Sequence, residues 1–180
     1  LAADLADLVY DAHQLAQRFD PPSGTTYLRS LAASIAGTLS KSAIARFDEQ
    51  QLTDKLNAEI CRAASTLNAR ATKGFIRRCH GDLHLDNIVV WQGRPALYDA
   101  IEFDEAIATI DTLYDLGFLL MDLDRYGQRA AANLVLNRYL WRSGDDLDLR
   151  GLDALALFLA LRAGVRAMVI ADRAAQKTSD

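Results

Sequence analysis

Three polar residues near the middle of the chain have the types and the spacing that phosphoryl transfer requires. Asp82 and Asn87 lie on one short polar segment, and Asp99 follows about a dozen residues later. Phosphoryl transfer needs a carboxylate that accepts the proton of a hydroxyl, and oxygen ligands that hold Mg²⁺ on the phosphates. We therefore predict Asp82 as the catalytic base and Asn87 and Asp99 as the ligands of Mg²⁺.

A predicted β-hairpin would bring these residues together. Residues 88–91 are typical of a strand, residues 92–95 of a turn, and residues 96–98 of the returning strand. Because the second strand runs back along the first, Asp99 is expected to lie beside Asn87. The hairpin is thus predicted to assemble the metal site.

The segments on both sides of the hairpin are predicted to be helical. Apolar residues recur at helical spacing in the first part of the chain, over 5–19, 27–44 and 48–73. Asp48 has the residue type of an N-cap for the third of these helices. Later helical patterns cover 110–121, 134–140 and 155–169, after an extended piece at 75–79 and a loop at 99–109. The fold class predicted is mostly α with a small β-hairpin, in one domain.

The central polar segment resembles a known family. His80-Gly81-Asp82-Leu83-His84-Leu85-Asp86-Asn87-Ile88-Val89 is similar to the catalytic loop of aminoglycoside phosphotransferases and their choline-kinase-like relatives. Tyr98 to Phe103 resembles the metal-binding segment of that family, and Ile110 to Gly117 resembles a helix start with an Asp-Leu pair. The sequence of residues 99–103 is most similar to that of an uncharacterised bacterial branch of this family, which is often fused to a P-loop ATPase domain.

This resemblance implies a fold and a reaction. It makes residues 1–180 the C-terminal, large lobe of a protein-kinase-like fold. Its parts would be a catalytic loop at 80–87, a metal segment at 98–103 and a helical, substrate-side subdomain at 109–174. The implied reaction transfers the γ-phosphate of ATP or GTP to a hydroxyl of a small molecule, with Mg²⁺ as the cofactor.

The resemblance also assigns supporting residues and a missing partner. His80 joins Asp82 in the catalytic set by holding the loop, Asp115 would hold the loop backbone from the helix below, and His84 is expected to give structural support. The chain begins with Leu1, and neither a Gly-rich phosphate loop nor a strand Lys precedes the catalytic loop. We therefore expect the N-terminal lobe to be absent and the chain alone to have negligible activity.

Two positions depart from the family pattern. Asp86 stands where the family more often has Gly, which predicts a stiffer loop or a more acidic metal site. Ala100-Ile101 replaces the Phe-Gly pair of protein kinases, so a protein-kinase-like switch of this segment is not expected.

Composition limits the partners and the location. The net charge of −4 argues against a nucleic-acid partner, because a protein that binds nucleic acid normally carries a basic patch. Two cysteines without metal-like spacing favour the cytoplasm. The longest apolar run, Ala154 to Leu161, is too short to span a membrane. The expected partner is a small hydroxylated substrate.

Other interpretations of the polar segment stay open at this point. Asp82, Asn87 and Asp99 could simply form hydrogen bonds in a polar loop. A metal-dependent hydrolase could use the alternating His80, Asp82, His84 and Asp86, although only His13 remains as another histidine. A non-catalytic kinase-like regulatory module is the third alternative.

Overall fold

Three helices form the first part of the chain in the computed structural model, which describes residues 1–42 and 48–177. They are α1 (Ala2–Leu15), α2 (Thr26–Lys41) and α3 (Glu49–Thr72). The side chain of Asp48 accepts a hydrogen bond from the backbone N of Gln51, which confirms the predicted N-cap of α3. The predicted end of α2 at Ile44 lies outside the described residues.

The first helix is shorter than its apolar pattern predicted. It ends at Leu15 rather than at Phe19, because the residues that follow pair with another segment. The backbone N of Phe19 donates to the carbonyl of Ile76 at 2.9 Å, and Arg18 forms an isolated antiparallel bridge with Arg77. Helical spacing continued in the sequence, but the tertiary hydrogen bonds determined the backbone.

In the described part of the chain, four short strands make two separate antiparallel pairs. In the first pair, β1 (Ile76–Arg78) lies beside β4 (Thr109–Asp111), with Ile76 opposite Asp111. In the second pair, β2 (Ile88–Trp91) lies beside β3 (Arg94–Leu97), with Ile88 opposite Leu97. The second pair confirms the predicted hairpin.

The turn of this hairpin is tighter than predicted. Its loop has two residues, Gln92 and Gly93, rather than the four residues 92–95. Both have positive φ, at 49° and 77°, as in the two-residue turns that match the twist of paired strands. Arg94 and Pro95 therefore belong to β3.

The segment predicted as a loop at 99–109 contains a further element. Asp104 caps a single helical turn, α4 (Glu105–Ala108), by accepting hydrogen bonds from the backbone N of Ala106 and Ile107. Strand β4 follows directly. The helix expected from Ile110 begins instead at Thr112, because Ile110 and Asp111 extend to pair with β1. The predicted 109–174 subdomain thus begins with a strand.

The last part of the chain is helical. Helix α5 (Thr112–Arg125) is followed by α6 (Arg129–Ser143), and Gly144 ends α6 with a φ of 58°. Helix α7 (Asp146–Gly151) and a 3₁₀ turn (Leu152–Ala154) lead into α8 (Leu155–Lys177). The helical patterns predicted over 134–140 and 155–169 are confirmed, and they lie within α6 and α8.

Helix α5 is the centre of the core. Most of its residues are buried, and it packs against α6 on one side and α8 on another. Helix α1 packs on α6, while α2 lies between α3 and α8. Burying one large aliphatic side chain stabilises a fold by roughly 1.5–3 kcal/mol. The fully buried set on and around α5 includes Leu67, Leu83, Leu113, Leu116, Leu119, Phe158 and Leu161.

A buried arginine joins three distant parts of this core. Arg70 on α3 binds both carboxylate oxygens of Asp111, at 2.7 and 2.8 Å, and one oxygen of Asp148 at 2.8 Å. Although burial disfavours the charged guanidinium, Asp111 and Asp148 raise the pKa of Arg70 above its ordinary value. Strand β4 and helix α7 are therefore fixed to α3 through one side chain.

One helical stretch has the length and apolar composition to cross a membrane. It covers Asp146–Ala175 and includes most of α8. In this fold, however, α8 packs against α2 and α5, and Phe158 and Leu161 are fully buried between them. Arg162 in the same helix forms hydrogen bonds inside the protein. These are the contacts of a core helix.

Candidate active site

A buried carboxylate on α5 holds the start of the polar loop. Asp115 is fully buried, and its two oxygens accept hydrogen bonds from the backbone N of Gly81 at 3.0 Å and of His80 at 3.3 Å. Gly81 has a φ of +82°, and a Cβ there would lie 3.1 Å from Ile101. A glycine is therefore required where the loop turns above α5.

A buried histidine and a buried arginine lie beside the carboxylate of Asp115. Nε2 of His13 lies 3.1 Å from one carboxylate oxygen, and Nη2 of Arg162 lies 3.5 Å from the other. Burial by itself would raise the pKa of Asp115, but the His13 hydrogen bond and the charge of Arg162 lower it below its ordinary value. Asp115 is consequently ionised and can hold two loop N–H groups.

A second carboxylate on α5 holds the far part of the same loop. Asp122 lies seven residues after Asp115, which places it on the same helix face two turns later. One oxygen accepts a hydrogen bond from the backbone N of Leu85 at 3.0 Å, and the other accepts one from Nη1 of Arg166 at 2.6 Å. The side chain of Asp122 is fully buried. Asp115 and Asp122 thus support both ends of the loop.

Two arginines on α8 complete this support. Arg162 pairs with Asp115 and donates from Nη1 to the carbonyl of Gly81 at 3.1 Å. Arg166, one helical turn later, pairs with Asp122. Asp122 was not identified from the sequence. Its seven-residue spacing from Asp115 is the signal that could have identified it.

His80 connects the loop to the predicted metal segment. Its Nε2 lies 2.9 Å from the carbonyl of Tyr98, and its own carbonyl accepts the backbone N of Ile101 at 3.0 Å. Its Nδ1 is buried and has no hydrogen-bond partner among the described residues. His80 therefore forms hydrogen bonds with Tyr98 before Asp99 and with Ile101 after it.

Asp82 and Asn87 are in direct contact. The side-chain nitrogen of Asn87 donates to the carbonyl of Asp82 at 2.9 Å and to Oδ2 of its carboxylate at 3.2 Å. Since the amide nitrogen is turned toward Asp82, the amide oxygen is the atom of Asn87 that remains for a cation. Asn87 is buried at the end of a 3₁₀ turn, Leu85–Asn87, that leads into β2.

Asp99 lies two residues after the end of β3 at Leu97. The backbone N of Tyr98 donates to the carbonyl of Asn87 at 3.1 Å, so these two residues are neighbours across the strands. Asp99 has a φ of 58°, a left-handed conformation that is unusual outside glycine but tolerated by Asp. Such conformations are found often at functional sites.

An open cleft joins the predicted base to the predicted metal carboxylate. Its volume is about 630 Å³, and Asp82 and Asp99 both line it, together with residues 100–103. The carboxylates at the cleft and the neighbouring Asn87 amide provide the oxygen ligands that Mg²⁺ prefers. The residues present therefore fit a divalent cation bound with phosphate oxygens.

The four residues that suggested a hydrolase do not form one ligand set. His84 lies near Asp82 and Asp86, but the ring of His80 binds the carbonyl of Tyr98 instead. Among the described residues, the cluster of potential metal ligands within 4.8 Å of one another is His13, Cys79 and Asp115. That cluster contains none of the four residues, so the geometry does not favour the hydrolase interpretation.

The cluster of His13, Cys79 and Asp115 is also a poor metal site. Asp115 already accepts hydrogen bonds from the loop, and the Arg162 guanidinium lies beside it. Nδ1 of His13 contacts the hydroxyl of Tyr139 at 2.8 Å. Burial raises the pKa of the Cys79 thiol, which disfavours the thiolate that a metal needs. These groups are better explained as supports of the loop.

The mostly helical fold, with a polar loop, a short hairpin and bracing carboxylates, is consistent with a kinase-like phosphotransferase. The profile of the Phosphotransferase enzyme family matches residues 1–158. The chain therefore belongs to this family of aminoglycoside phosphotransferase and choline-kinase-like proteins, as the motif in residues 80–89 predicted.

The curated relatives are mycobacterial proteins described only as uncharacterized. Mb2027c of Mycobacterium bovis and Rv2004c of Mycobacterium tuberculosis are each 37% identical to this chain over 100 residues. The match covers 56% of this chain and 20% of each relative, so it spans about a fifth of their length. No solved structure matches the chain. The predicted fusion to a P-loop ATPase domain stays a prediction.

Proposed function

We propose that this chain is the helical lobe of a small-molecule kinase, which transfers the γ-phosphate of ATP or GTP to a hydroxyl. One observation carries the proposal. Asp82 and Asp99 line a single open cleft, and Asn87 is hydrogen-bonded to Asp82 at its edge. Family membership supports phosphoryl transfer as the reaction class.

The chemistry assigned to each residue follows from this arrangement. The acceptor hydroxyl donates a hydrogen bond to the Asp82 carboxylate, and its oxygen forms a bond to the γ-phosphorus. The bond between that phosphorus and the β–γ bridging oxygen breaks, the nucleoside diphosphate leaves, and the hydroxyl proton passes to Asp82. Asn87 and Asp99 would hold Mg²⁺, which neutralises phosphate charge when bound. Positioning is then the main task of the protein.

The acceptor is proposed to bind on the side of the cleft formed by residues 100–103 and by the helices that follow. Glu102 and Phe103 are both exposed there. A carboxylate next to an aromatic ring suits a small hydroxylated molecule.

A second lobe is proposed to complete the nucleotide site. The hairpin beside the cleft exposes large apolar side chains, with Val90 60% and Trp91 69% accessible. An exposed apolar surface of this kind, next to a phosphate-binding loop, suits a covering domain. We also propose a cytoplasmic location, without a nucleic-acid or membrane partner.

A radiolabel transfer assay tests this function. A protein that joins this chain to the proposed second lobe is incubated with Mg²⁺, γ-labelled ATP and a panel of choline, kanamycin, sugars and nucleosides, and Asp82→Asn serves as the matched variant. We expect labelled product from wild type and a loss of about 10²–10⁴-fold for Asp82→Asn, the usual contribution of a general base. Nucleotide binding without any transfer would instead favour the regulatory-module alternative.

A further inference from the structure

We propose that His84 is a positioning residue that fixes the Asp82 carboxylate with Oδ1 directed to the acceptor. This inference rests on the proposed function, because it concerns the same site. Nε2 of His84 lies 3.2 Å from Oδ2 of Asp82. No role for His84 beyond general structural support follows from its place in the motif.

A backbone N–H group determines which nitrogen of the neutral His84 ring carries the proton. The backbone N–H of Asp86 donates to Nδ1 of His84 at 3.2 Å. Nδ1 therefore uses its lone pair as an acceptor, and a neutral ring must carry its proton on Nε2. That is the nitrogen that lies 3.2 Å from Oδ2 of Asp82, so the N–H group of a neutral His84 ring is next to the carboxylate.

The two oxygens of Asp82 are consequently in different environments. Oδ2 accepts a hydrogen bond from the side-chain nitrogen of Asn87, and Nε2 of His84 also lies 3.2 Å from it. Oδ1 accepts no hydrogen bond from the described residues. Two N–H groups beside one oxygen favour a single rotation of the carboxylate, and its other oxygen is left for the substrate. Oδ1 is then the atom that accepts the proton of the hydroxyl.

Helix α5 holds the His84 ring in place. Its Phe118 packs against the imidazole with ring centroids 5.4 Å apart, and the side chain of His84 is only 18% exposed. The carbonyl of His84 also accepts the backbone N of Asn87 at 3.0 Å, and Asp122 holds the intervening Leu85. The ring is thus attached to the same helix that supports the loop.

Two substitutions separate positioning from structural support. His84→Ala removes the donor to Asp82, whereas His84→Gln keeps an amide donor at about the reach of Nε2. We expect His84→Ala to lower kcat for transfer about 10- to 100-fold with little change in the KM for MgATP, and His84→Gln to recover most of the loss. Equal losses in both variants, or losses in KM and thermal midpoint with kcat unchanged, would overturn the assignment.

An NMR measurement decides the geometry even where transfer is not seen. Nitrogen-15 spectra of the imidazoles in the full chain are expected to show His84 as the Nε2–H tautomer, with an Nε2 signal that moves in Asp82→Ala. An Nδ1–H tautomer, or a signal unaffected by Asp82→Ala, would overturn the inference. If wild type transfers no phosphate while the spectra agree, the proposed function fails and the positioning of Asp82 stands.

Discussion

At the scale of residues, the site is a set of backbone groups held by buried charges. Asp115 has no access to solvent, yet it binds two loop N–H groups and lies beside His13 and Arg162. A buried carboxylate is stable only when such partners compensate for the water it lost. The motif in the sequence predicted the position of Asp115, while His13 could not be linked to it because the two are far apart in the chain.

The lowered pKa of Asp115 gives a pH prediction. The Asp115 carboxylate binds a proton less readily in the folded state than in the unfolded state, where the pKa of an Asp is about 3.9. The stabilisation is therefore complete above that pH and is lost as the pH falls through the folded-state value. Urea unfolding from pH 7 to pH 2 should show wild type losing its stability advantage over Asp115→Asn only below about pH 4. A difference in unfolding free energy between wild type and Asp115→Asn that stays constant with pH would contradict this prediction.

At the scale of elements, α5 is the platform on which the loop rests. Its residues Asp115, Phe118 and Asp122 follow the spacing of one helix face and contact successive parts of the loop. Local pattern was enough to predict the hairpin, because a two-residue turn and its strands are adjacent in sequence. Strand β4 was not predicted, because its partner β1 lies about thirty residues earlier and both strands have only three residues.

Removing Asp122 should destabilise the protein. Asp122→Ala leaves the N–H of Leu85 without its acceptor and Arg166 without its buried partner, which should cost about 3 kcal/mol in the free energy of unfolding. Asp124→Ala is the matched control, since Asp124 is exposed on the same helix, and its effect should stay within about 0.5 kcal/mol. Chemical denaturation measures both, and similar small effects would argue against a supporting role for Asp122.

At the scale of the whole molecule, Arg70 connects segments that sequence reasoning treated separately. It joins α3 to Asp111, which caps α5, and to Asp148 in α7. The sequence predicted a mostly helical domain, but it offered no means to pair one arginine with two distant acids. Such a network is set by the tertiary packing of the elements.

Breaking this network should be costly. Arg70→Met leaves two buried carboxylates without their cation, and we expect a loss of about 3–5 kcal/mol in the free energy of unfolding. Arg62→Met is the control, because Arg62 is exposed and pairs with Glu59 on the surface, where the effect should be below about 1 kcal/mol. Guanidinium denaturation compares them, and a loss for Arg70→Met no larger than that of the control would contradict the prediction.

The most direct measurement is an EPR titration of Mn²⁺ into the protein in the presence of ATP, with Mn²⁺ in place of Mg²⁺. Wild type and Asp82→Asn should both bind the Mn²⁺–nucleotide complex, because Asp82 is proposed to act on the acceptor rather than on the metal. Asn87→Ala and Asp99→Ala should each bind it at least about tenfold more weakly, since each removes an oxygen ligand. Equal Mn²⁺ affinity in all four proteins would contradict a shared metal site at Asn87 and Asp99.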